Sequence, residues 1–503
     1  MAEKAQQAEQ TASKFNIKSL IHIAIAAVFV AVFWNIPAID PITPMGMKVV
    51  GVFVAMVYLW SVVGTLWPSI AALILFGIAG TGGDDGFSGV FVTALGNSNV
   101  IMVVLAMILF GAFDQVGCTK YIAKWILTRK ALEGRPLVLL ALIFLATFFL
   151  CPLVGTVPCF LMMWGICTRV AEVAGLTRED RVWKFFFVGL FAAIAFGQAF
   201  LPFKNAALVG ISSFESVMAS SGNAVTMPYL PYMLTSFVSA VVVFAAFFLY
   251  MKIARVDTSK LKVITPEVIE KEMPLPDMNF QQKAYMIMMP IFLAAVLLPG
   301  VLPSNPICDA LNFLGTLGVM AVTIVLFLII EWNGKPLLQF GKVAAKQFQW
   351  GIYFMVAAGV YGAGLLGNKT MGIRAWITQT LNPILGGQPE IMFVLILITF
   401  AIFITTFAHN GAMAVVLMPV AVSFSSTLNV DAIPVAIVLV LAVHVAMLSP
   451  AASVPSALAW GNRDIYSPKD ILVVGFPMTI ASIIVLTFVC YPLAKALCAA
   501  VGA

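Results

Sequence analysis

The most informative pattern of apolar and polar positions lies in the stretch 391–461. An apolar run over 391–407 stops at Ala408-His409-Asn410-Gly411, and a second apolar run covers 412–423. Each run is shorter than the roughly 20 residues that a membrane-crossing helix needs. Two short apolar runs around a polar break predict a hairpin that enters the membrane and turns back.

The helix that follows this hairpin is also interrupted. Apolar residues 433–448 lead into 449–456, where Pro450 and Pro455 stand among small and hydroxyl residues. Non-helical backbone at membrane depth is tolerated only where protein or a water-filled cavity covers it. Two interruptions so close together are typical of a transporter's binding site.

Apolar runs fill the rest of the chain and are separated by polar loops. Short amphipathic helices are predicted over 119–129 and 371–381, lying along the membrane surface. A first hairpin is predicted with its break at 151–158. The complete pattern has eleven crossings (20–37, 48–66, 68–80, 99–116, 185–210, 229–251, 284–302, 309–331, 350–367, 432–458 and 470–492) and two hairpins (136–172 and 389–427).

The two halves of the chain carry matching features. The segment IAKWI at 122–126 matches IRAWI at 373–377 with an offset of 251, and the hairpin breaks at Gly155 and His409 are offset by 254. Five predicted crossings separate the hairpins, so they open from opposite sides of the membrane. The sequence therefore predicts an inverted repeat with the substrate site at the repeat interface.

Composition places the chain among polytopic helical membrane proteins, because 62% of its residues are hydrophobic and 10% are charged. With the N-terminus inside, predicted inner loops hold 23 of the 28 Lys and Arg residues and outer segments hold four. This bias predicts a cytoplasmic N-terminus, an external C-terminus and a bacterial inner membrane. The charges lie in loops, so nucleic-acid binding is not expected, and the seven cysteines show no disulfide or metal spacing.

The pattern also predicts how the chain is divided. A cytoplasmic tail (1–18) precedes the first repeat half (19–251), and a cytoplasmic loop (252–283) connects it to the second half (284–503). In an elevator-type transporter the two hairpins would move with the spans of 185–251 and 432–492. The spans of 19–116 and 284–367 would form the scaffold.

Lys204 is the one basic residue inside a predicted span. An intramembrane charge is a functional candidate, since burying it unpaired is costly. It would suit an anionic substrate, or it would stand permanently in place of a coupling cation; alternatively it snorkels to the surface. Acidic residues are nearly absent from the predicted spans. The exception is Asp114, for which helix capping or pairing with Lys120 is expected.

His409 and Asn410 occupy the tip of the second hairpin. Histidine titrates near neutral pH, so His409 is expected either to carry a proton or bind the ligand, or to satisfy nearby backbone carbonyls as a neutral ring. His444, on the helix before the second break, is expected to make a structural hydrogen bond.

The second half resembles a known family. A hairpin, a helix and a Ser/Pro-rich break are followed by Trp460-Gly461, by Ser-Pro-Lys-Asp at 467–470 and by Gly-Phe-Pro at 475–477. This order resembles the divalent-anion/sodium symporter family of the ion-transporter superfamily, whose members carry dicarboxylates, citrate or sulfate. The resemblance implies a homodimer with a dimeric scaffold in the lipid membrane, an anionic substrate and sodium coupling, without an organic cofactor.

The chain departs from the family at its most specific motifs. The Ser-Asn-Thr triplets of the family tips correspond to His409-Asn410-Gly411 and Gly155-Thr156-Val157, and the Thr-Pro-Pro-Asn breaks to 453–456 and 202–205. The breaks and the resemblance predict these substrate-binding residues: Thr156, Lys204, Asn205, His409, Asn410, Gly411, Ser453, Pro455 and Ser456. The resemblance implies these coupling-ion residues: Cys151, Gly155, Gly197, Thr405, Asn410 and Ala452.

The predicted function is secondary active transport of a small dicarboxylate-like or sulfate-like anion by an elevator mechanism, with sodium coupling or exchange. A sodium-independent exchanger, or a proton-coupled carrier in which Lys204 replaces a sodium ion, remains open. An alternative from a different functional class is an anion channel with the same fold. The spans contain no Ser/His/Asp, His-rich or paired-carboxylate set, so an enzyme is not expected.

Overall fold

The protein is described by a computed structural model that covers residues 17–272, 274–300, 302–303 and 305–502, apart from the side chains of 17, 18, 132, 205 and 206. These residues form helices joined by short loops, and one small antiparallel ribbon. The elements are α1 (Ile17–Asn35), α2 (Pro44–Val62), α3 (Leu66–Ile78), α4 (Gly86–Leu95), α5 (Ser98–Gln115), α6 (Cys118–Leu127), α7 (Pro136–Val154), α8 (Thr156–Val173), α9 (Arg181–Gly197), α10 (Asn205–Ser220), α11 (Tyr229–Ile253), α12 (Pro266–Glu272), α13 (Phe280–Leu297), α14 (Pro306–Ile329), β1 (Glu331–Trp332), β2 (Lys335–Pro336), α15 (Phe340–Gln347), α16 (Trp350–Gly367), α17 (Ile373–Leu385), α18 (Glu390–Thr405), α19 (Asn410–Thr427), α20 (Ala432–Ala442), α21 (Val454–Gly461), α22 (Pro468–Val485) and α23 (Tyr491–Val501).

The predicted fold class, an all-α polytopic membrane protein, is confirmed. In the described part of the chain, ten helices are long and apolar enough to cross a membrane, or up to twelve if two bent pairs each count as one span. One bent pair joins α3 to 83–95 at 97°, and the other joins α17 to α18 at 108°. The predicted span 68–80 is therefore the first arm of a bent pair rather than a separate crossing.

The first predicted hairpin folds back at a single residue. Gly155 separates α7 from α8 with φ 108° and ψ 151°, a conformation that only glycine adopts readily. Cys159 Sγ lies 3.9 Å from the carbonyl oxygen of Thr147, whereas about 18 Å would separate these positions in a straight helix. The break is narrower than the predicted 151–158, since Pro152 stays inside α7 and Pro158 lies in the first turn of α8.

The second hairpin lies where it is predicted, with α18 and α19 on either side of 406–409. The interrupted helix behind it ends earlier than the sequence indicates. α20 stops at Ala442 rather than 448, and the chain stays irregular until α21. Side chains bind the carbonyl oxygens freed there: Ser456 Oγ donates to Ala446 at 2.8 Å, and Trp460 Nε1 donates to Met447 at 3.1 Å. These bonds satisfy buried backbone groups that helix bonds would otherwise satisfy.

The first interrupted helix differs more from its prediction. The predicted span 185–210 is two helices, α9 and α10, separated by 198–204, and α10 continues to Ser220. Serine hydroxyls inside α10 donate to the carbonyl four residues earlier, as Ser213 does to Val209 at 2.7 Å. Such bonds allow a polar sequence to stay helical. Glu215 therefore lies inside a buried helix, so the expectation that Asp114 is the exceptional acid of the spans is wrong.

α10 is the packing centre of the molecule. It lies between α16 and α19 and also contacts α20. Gly210 permits this approach, because a Cβ there would be 2.8 Å from Val440 Cγ2 and 3.3 Å from Ala414 Cβ. The two interrupted helices and the second hairpin are thereby held in direct contact.

The polar connection between the halves is partly folded. It contains α12 and a short 3-10 segment, Ser259–Val263. Lys260 Nζ pairs with Asp180 Oδ1 at 2.8 Å, and this hydrogen bond lowers the pKa of the Asp180 carboxyl. The connection is therefore anchored to the turn before α9.

Candidate functional site

Lys204 is buried in the first break and makes direct contact with the first hairpin. Its side chain is 9% exposed, so it does not snorkel to the surface. Nζ donates to the carbonyl oxygen of Leu153 at 2.9 Å. Leu153 is in the last turn of α7, where carbonyl oxygens lack helix partners and the helix dipole is negative. A positive charge is therefore well placed at the hairpin tip.

Two further groups on α5 act on Lys204. Nζ lies 4.7 Å from the centre of the Phe110 ring, a distance at which the ring attracts a cation. The Asp114 carboxylate carries the opposite charge and attracts the Lys204 ammonium electrostatically. Asp114 itself accepts a hydrogen bond from Thr119 Oγ1 at 3.2 Å, so its direct partner is Thr119 rather than the expected Lys120.

The space beside Lys204 is small in this conformation. A cavity of about 40 Å³ is bordered by Lys204, Gly155, Gln347 and Gln349. That volume suits about one water molecule, whose share of liquid volume is roughly 30 Å³. A dicarboxylate would enter only after the surrounding helices move apart.

The two helices that begin at the first-half breaks start without a side-chain cap among the described groups. α8 begins after Gly155 and α10 begins after Lys204, and neither N-terminus receives a side-chain hydrogen bond. The first amide groups of a helix point their hydrogens outward and carry partial positive charge. Together with Lys204, these N-termini form an electropositive site.

The corresponding helices of the second half are capped. His409 Nδ1 accepts a hydrogen bond from Gly411 N at 3.2 Å at the start of α19. Ser453 Oγ accepts from Ser456 N at 3.3 Å at the start of α21. These caps occupy amide groups that an anion would otherwise bind.

Oxygen atoms converge at the second tip. Thr405 Oγ1 lies 3.1 Å from Asn410 Oδ1 and 2.9 Å from the carbonyl oxygen of Val443. All three residues are buried. One hydroxyl hydrogen cannot serve both acceptors, and hydroxyl, amide and carbonyl oxygens are the ligand types that hard cations prefer. This cluster is the part of the described chain best suited to a sodium ion.

Comparisons with known proteins identify the family of the chain. A family model described as citrate transporter matches residues 15–442, most of the chain. The chain belongs to the citrate transporter family. This confirms the resemblance drawn from the hairpins and the Ser/Pro-rich break, and it identifies an integral membrane protein of a transporter family.

Curated relatives of this citrate transporter family member match over shorter stretches. The sodium-dependent dicarboxylate transporter SdcS of Staphylococcus saprophyticus is 28% identical over 34% of this chain and 33% of its own length. The Na(+)/dicarboxylate cotransporter 3 of Rattus norvegicus is 25% identical over 47% of this chain and 41% of its own. The chain thus spans less than half the length of the curated relatives it matches.

A solved structure shows the same fold. The YdaH transporter of Alcanivorax borkumensis, described as having an unusual topology, superposes with a TM-score of 0.53 over 81% of this chain and 89% of that one. The sequence identity is 14%, so the likeness concerns the fold alone.

In this citrate transporter family member, the predicted ion residues Cys151 and Gly197 of the first half pack against each other. A Cβ at Gly197 would lie 3.0 Å from Cys151 Cβ, and Cys151 Sγ lies 3.6 Å from the carbonyl oxygen of Ile194. The Cys151 side chain offers sulfur, whereas hard cations prefer oxygen ligands. Ala452, of the second-half set, is buried in the irregular segment before α21.

The remaining predicted substrate residues lie at helix starts. Thr156 begins α8, Gly411 lies in the first turn of α19, and Pro455 in the first turn of α21. The side chain of Asn205 lies outside the described residues. His444 Nδ1 lies 2.6 Å from the carbonyl of Val440, which confirms its structural hydrogen bond.

His409→Ala is expected to destabilise the second tip by roughly 0.5–2 kcal/mol, since it removes a helix cap. His409→Ser retains a capping oxygen and is expected to restore both stability and uptake. Thermal unfolding and uptake across pH 5–8 measure this pair. An unaltered pH profile of uptake in His409→Ser is expected, whereas a pH dependence that is present in the wild type and lost in both variants would show that the imidazole carries a proton.

Proposed function

We propose that this protein is a secondary active transporter of a small carboxylate anion, of the citrate or dicarboxylate class, coupled to one sodium ion. The substrate carboxylate binds in the first half at Lys204 and the starts of α8 and α10. Sodium binds in the second half at Thr405 and Asn410. The relatives named sodium-dependent dicarboxylate transporter and Na(+)/dicarboxylate cotransporter support the substrate class and the coupling to sodium.

The observation that carries this proposal is the chemical asymmetry of the two breaks. The first break combines a buried ammonium with two helix N-termini that lack side-chain caps in the described structure. The second break has capped N-termini and a cluster of neutral oxygens. An anion is stabilised by the first arrangement and a small cation by the second.

Lys204 also explains why one sodium ion suffices. An ammonium supplies a fixed positive charge and three donors, and it already contacts the hairpin-tip carbonyl of Leu153. It neutralises an anion as a bound sodium would, but it does not dissociate with each cycle. The first half therefore binds substrate without being driven by a sodium gradient.

An elevator mechanism is part of the proposal. Direct bonds join the elements of the moving unit across the two halves. Trp164 Nε1 of α8 donates to Tyr466 OH at 2.8 Å, and Tyr466 OH donates to the carbonyl of Phe187 on α9 at 3.0 Å. Thr405 links the second hairpin to the end of α20. These bonds support one rigid unit that slides against a scaffold, which the resemblance implies is dimeric.

The proposed orientation follows the loop charges, with a cytoplasmic N-terminus, an external C-terminus and a location in the bacterial inner membrane. The two halves are proposed to be inverted repeats. A carrier is favoured over an anion channel, because the cavity at Lys204 measures only about 40 Å³ and is bordered by residues of α5, α10 and α16.

Purified protein in liposomes tests the proposal. Labelled citrate, succinate and sulfate are supplied with an inward sodium gradient, an inward proton gradient, or the unlabelled anion inside. Carboxylate uptake driven by the sodium gradient is expected. Uptake that needs only internal unlabelled anion would identify an exchanger, and conductance without a driving ion would identify a channel.

A further inference from the structure

A partly buried carboxylate, that of Glu215, lies on α10, ten residues after the first residue of that helix. Glu215 Oε2 accepts a hydrogen bond from Asn99 Nδ2 at 2.8 Å, and Oε1 accepts from Met227 N at 2.9 Å. Both oxygens therefore accept from N–H groups, which is the pattern that stabilises an ionised carboxylate. These bonds leave further lone pairs on both oxygens.

The carboxylate faces a large polar cavity. The cavity measures about 920 Å³ and lies between α5, α10, α14 and the loop before α11. Glu215 is the one charged side chain among the described residues that line it, and the neutral oxygens of Asn99, Ser216 and Thr316 are also present. α14 bends at Gly315 on the same wall, with φ 58° and ψ −179°. Non-helical backbone of this kind is tolerated at membrane depth where it lines a cavity.

An independent feature lies in the wall of the same cavity. The Ser212 side chain is fully buried, lines the cavity, and its Oγ has no hydrogen-bond partner among the described groups. Ser212 precedes Glu215 by three residues, so the two side chains lie on the same face of α10. A buried hydroxyl without a partner costs about 1–3 kcal/mol, which a ligand would recover.

The negative charge of Glu215 indicates that this ligand is a cation. A carboxylate held at membrane depth without a basic partner is costly and repels an anionic substrate. A cation bound between Glu215 and neutral oxygens removes both penalties. Among the described residues, no three His, Cys, Asp or Glu side chains are grouped so that they could hold a metal ion. One carboxylate with neutral oxygens suits a monovalent ion rather than a divalent one.

We propose that Glu215 and Ser212 bind a sodium ion at a site separate from the hairpin tips. The site joins the proposed moving unit, through α10, to the proposed scaffold, through Asn99 of α5. Sodium bound here stabilises the arrangement in which these two helices are aligned. It therefore favours one end point of the transport cycle, in addition to the ion that binds at Thr405 and Asn410.

The test is equilibrium binding of ²²Na⁺ to the purified full-length chain. Glu215→Gln keeps the shape and removes the charge, and it is expected to bind one sodium ion fewer than the wild type. Ser212→Ala is expected to weaken the binding of that ion by about tenfold, because one contact with the strength of a hydrogen bond is lost. Glu390→Gln is the matched control, because this carboxylate pairs with Lys495 outside the cavity, and its sodium count is expected to stay unchanged.

Two results would overturn the site. One is an unchanged ²²Na⁺ count in Glu215→Gln together with unchanged affinity in Ser212→Ala. The other is that acid, but not sodium, raises the thermal stability of the wild type and fails to do so in Glu215→Gln, which would show that Glu215 binds a proton. Thr405→Val separates this result from the tip site. It is expected to keep the full sodium count and to hold the tip ion about tenfold more weakly, whereas the double variant with Glu215→Gln is expected to show both this weakening and the loss of one ion.

Discussion

Lys204→Met is expected to weaken binding of the transported anion more than a hundredfold. The methionine keeps the apolar stem, and the loss follows from removing one partner of a desolvated charge pair, roughly 3–5 kcal/mol. Lys204 is buried and contacts the hairpin-tip carbonyl of Leu153, so neither solvent nor another described base replaces it. Anion affinity is measured in detergent by isothermal titration, with sodium and with choline in its place.

The affinities measured with sodium and with choline decide whether Lys204 replaces a sodium ion. If Lys204 replaces a sodium ion, wild-type binding depends on one sodium at the tips, and the methionine variant shows the same sodium dependence with weaker affinity. Lys495→Met, a surface lysine paired with Glu390, is the matched control and should bind as the wild type does. Wild-type binding that needs two sodium ions at the tips, or equal affinity in Lys204→Met, would reduce Lys204 to a cap on α7.

Replacement of Asn410 by Leu is expected to abolish uptake and leave folded protein in the membrane. The substitution removes an amide oxygen from the buried cluster with Thr405 and Val443. The milder Thr405→Val change removes one hydroxyl while keeping the side-chain shape. It is expected to raise the sodium concentration for half-maximal uptake by about tenfold, since a ligand of the ion is lost.

Thr406→Val is a matched control for the second tip. Thr406 is the next residue, it is also buried, and its hydroxyl donates to Ile402 in its own helix at 2.8 Å. Its replacement should leave the sodium dependence unchanged. Equal sodium dependence in Thr405→Val and the wild type would remove the oxygen cluster from the coupling mechanism, whatever the uptake rate of Asn410→Leu.

The extent of the helices shows where prediction from the sequence succeeds. The second hairpin at 389–427 is found as α18 and α19, because its apolar runs and polar break are local features. The predicted span 185–210 ends ten residues before α10 does, although α10 continues through Ser213 and Glu215 to Ser220. The hydrogen-bond partners of Ser213 and Glu215, one in the helix and the other on α5, do not show in a hydropathy pattern.

The candidate site divides in the same way. Lys204 was recognisable because a base in an apolar run stands out, and His409-Asn410 because it breaks such a run. The sequence did not show that Lys204 donates a hydrogen bond to the Leu153 carbonyl. It also did not show that His409 Nδ1 caps α19. Those contacts depend on how two interrupted segments face each other.

The sequence alone indicated the class, the two hairpins and the buried charge of Lys204. It did so because the bilayer sets the length of each apolar run and penalises charge within it. The tertiary structure decided where each helix stops and what each polar group binds. Lys204 meets Leu153, Thr405 meets Val443 and Glu215 meets Asn99 across 51, 38 and 116 residues. Buried backbone and side-chain groups need partners wherever packing supplies them.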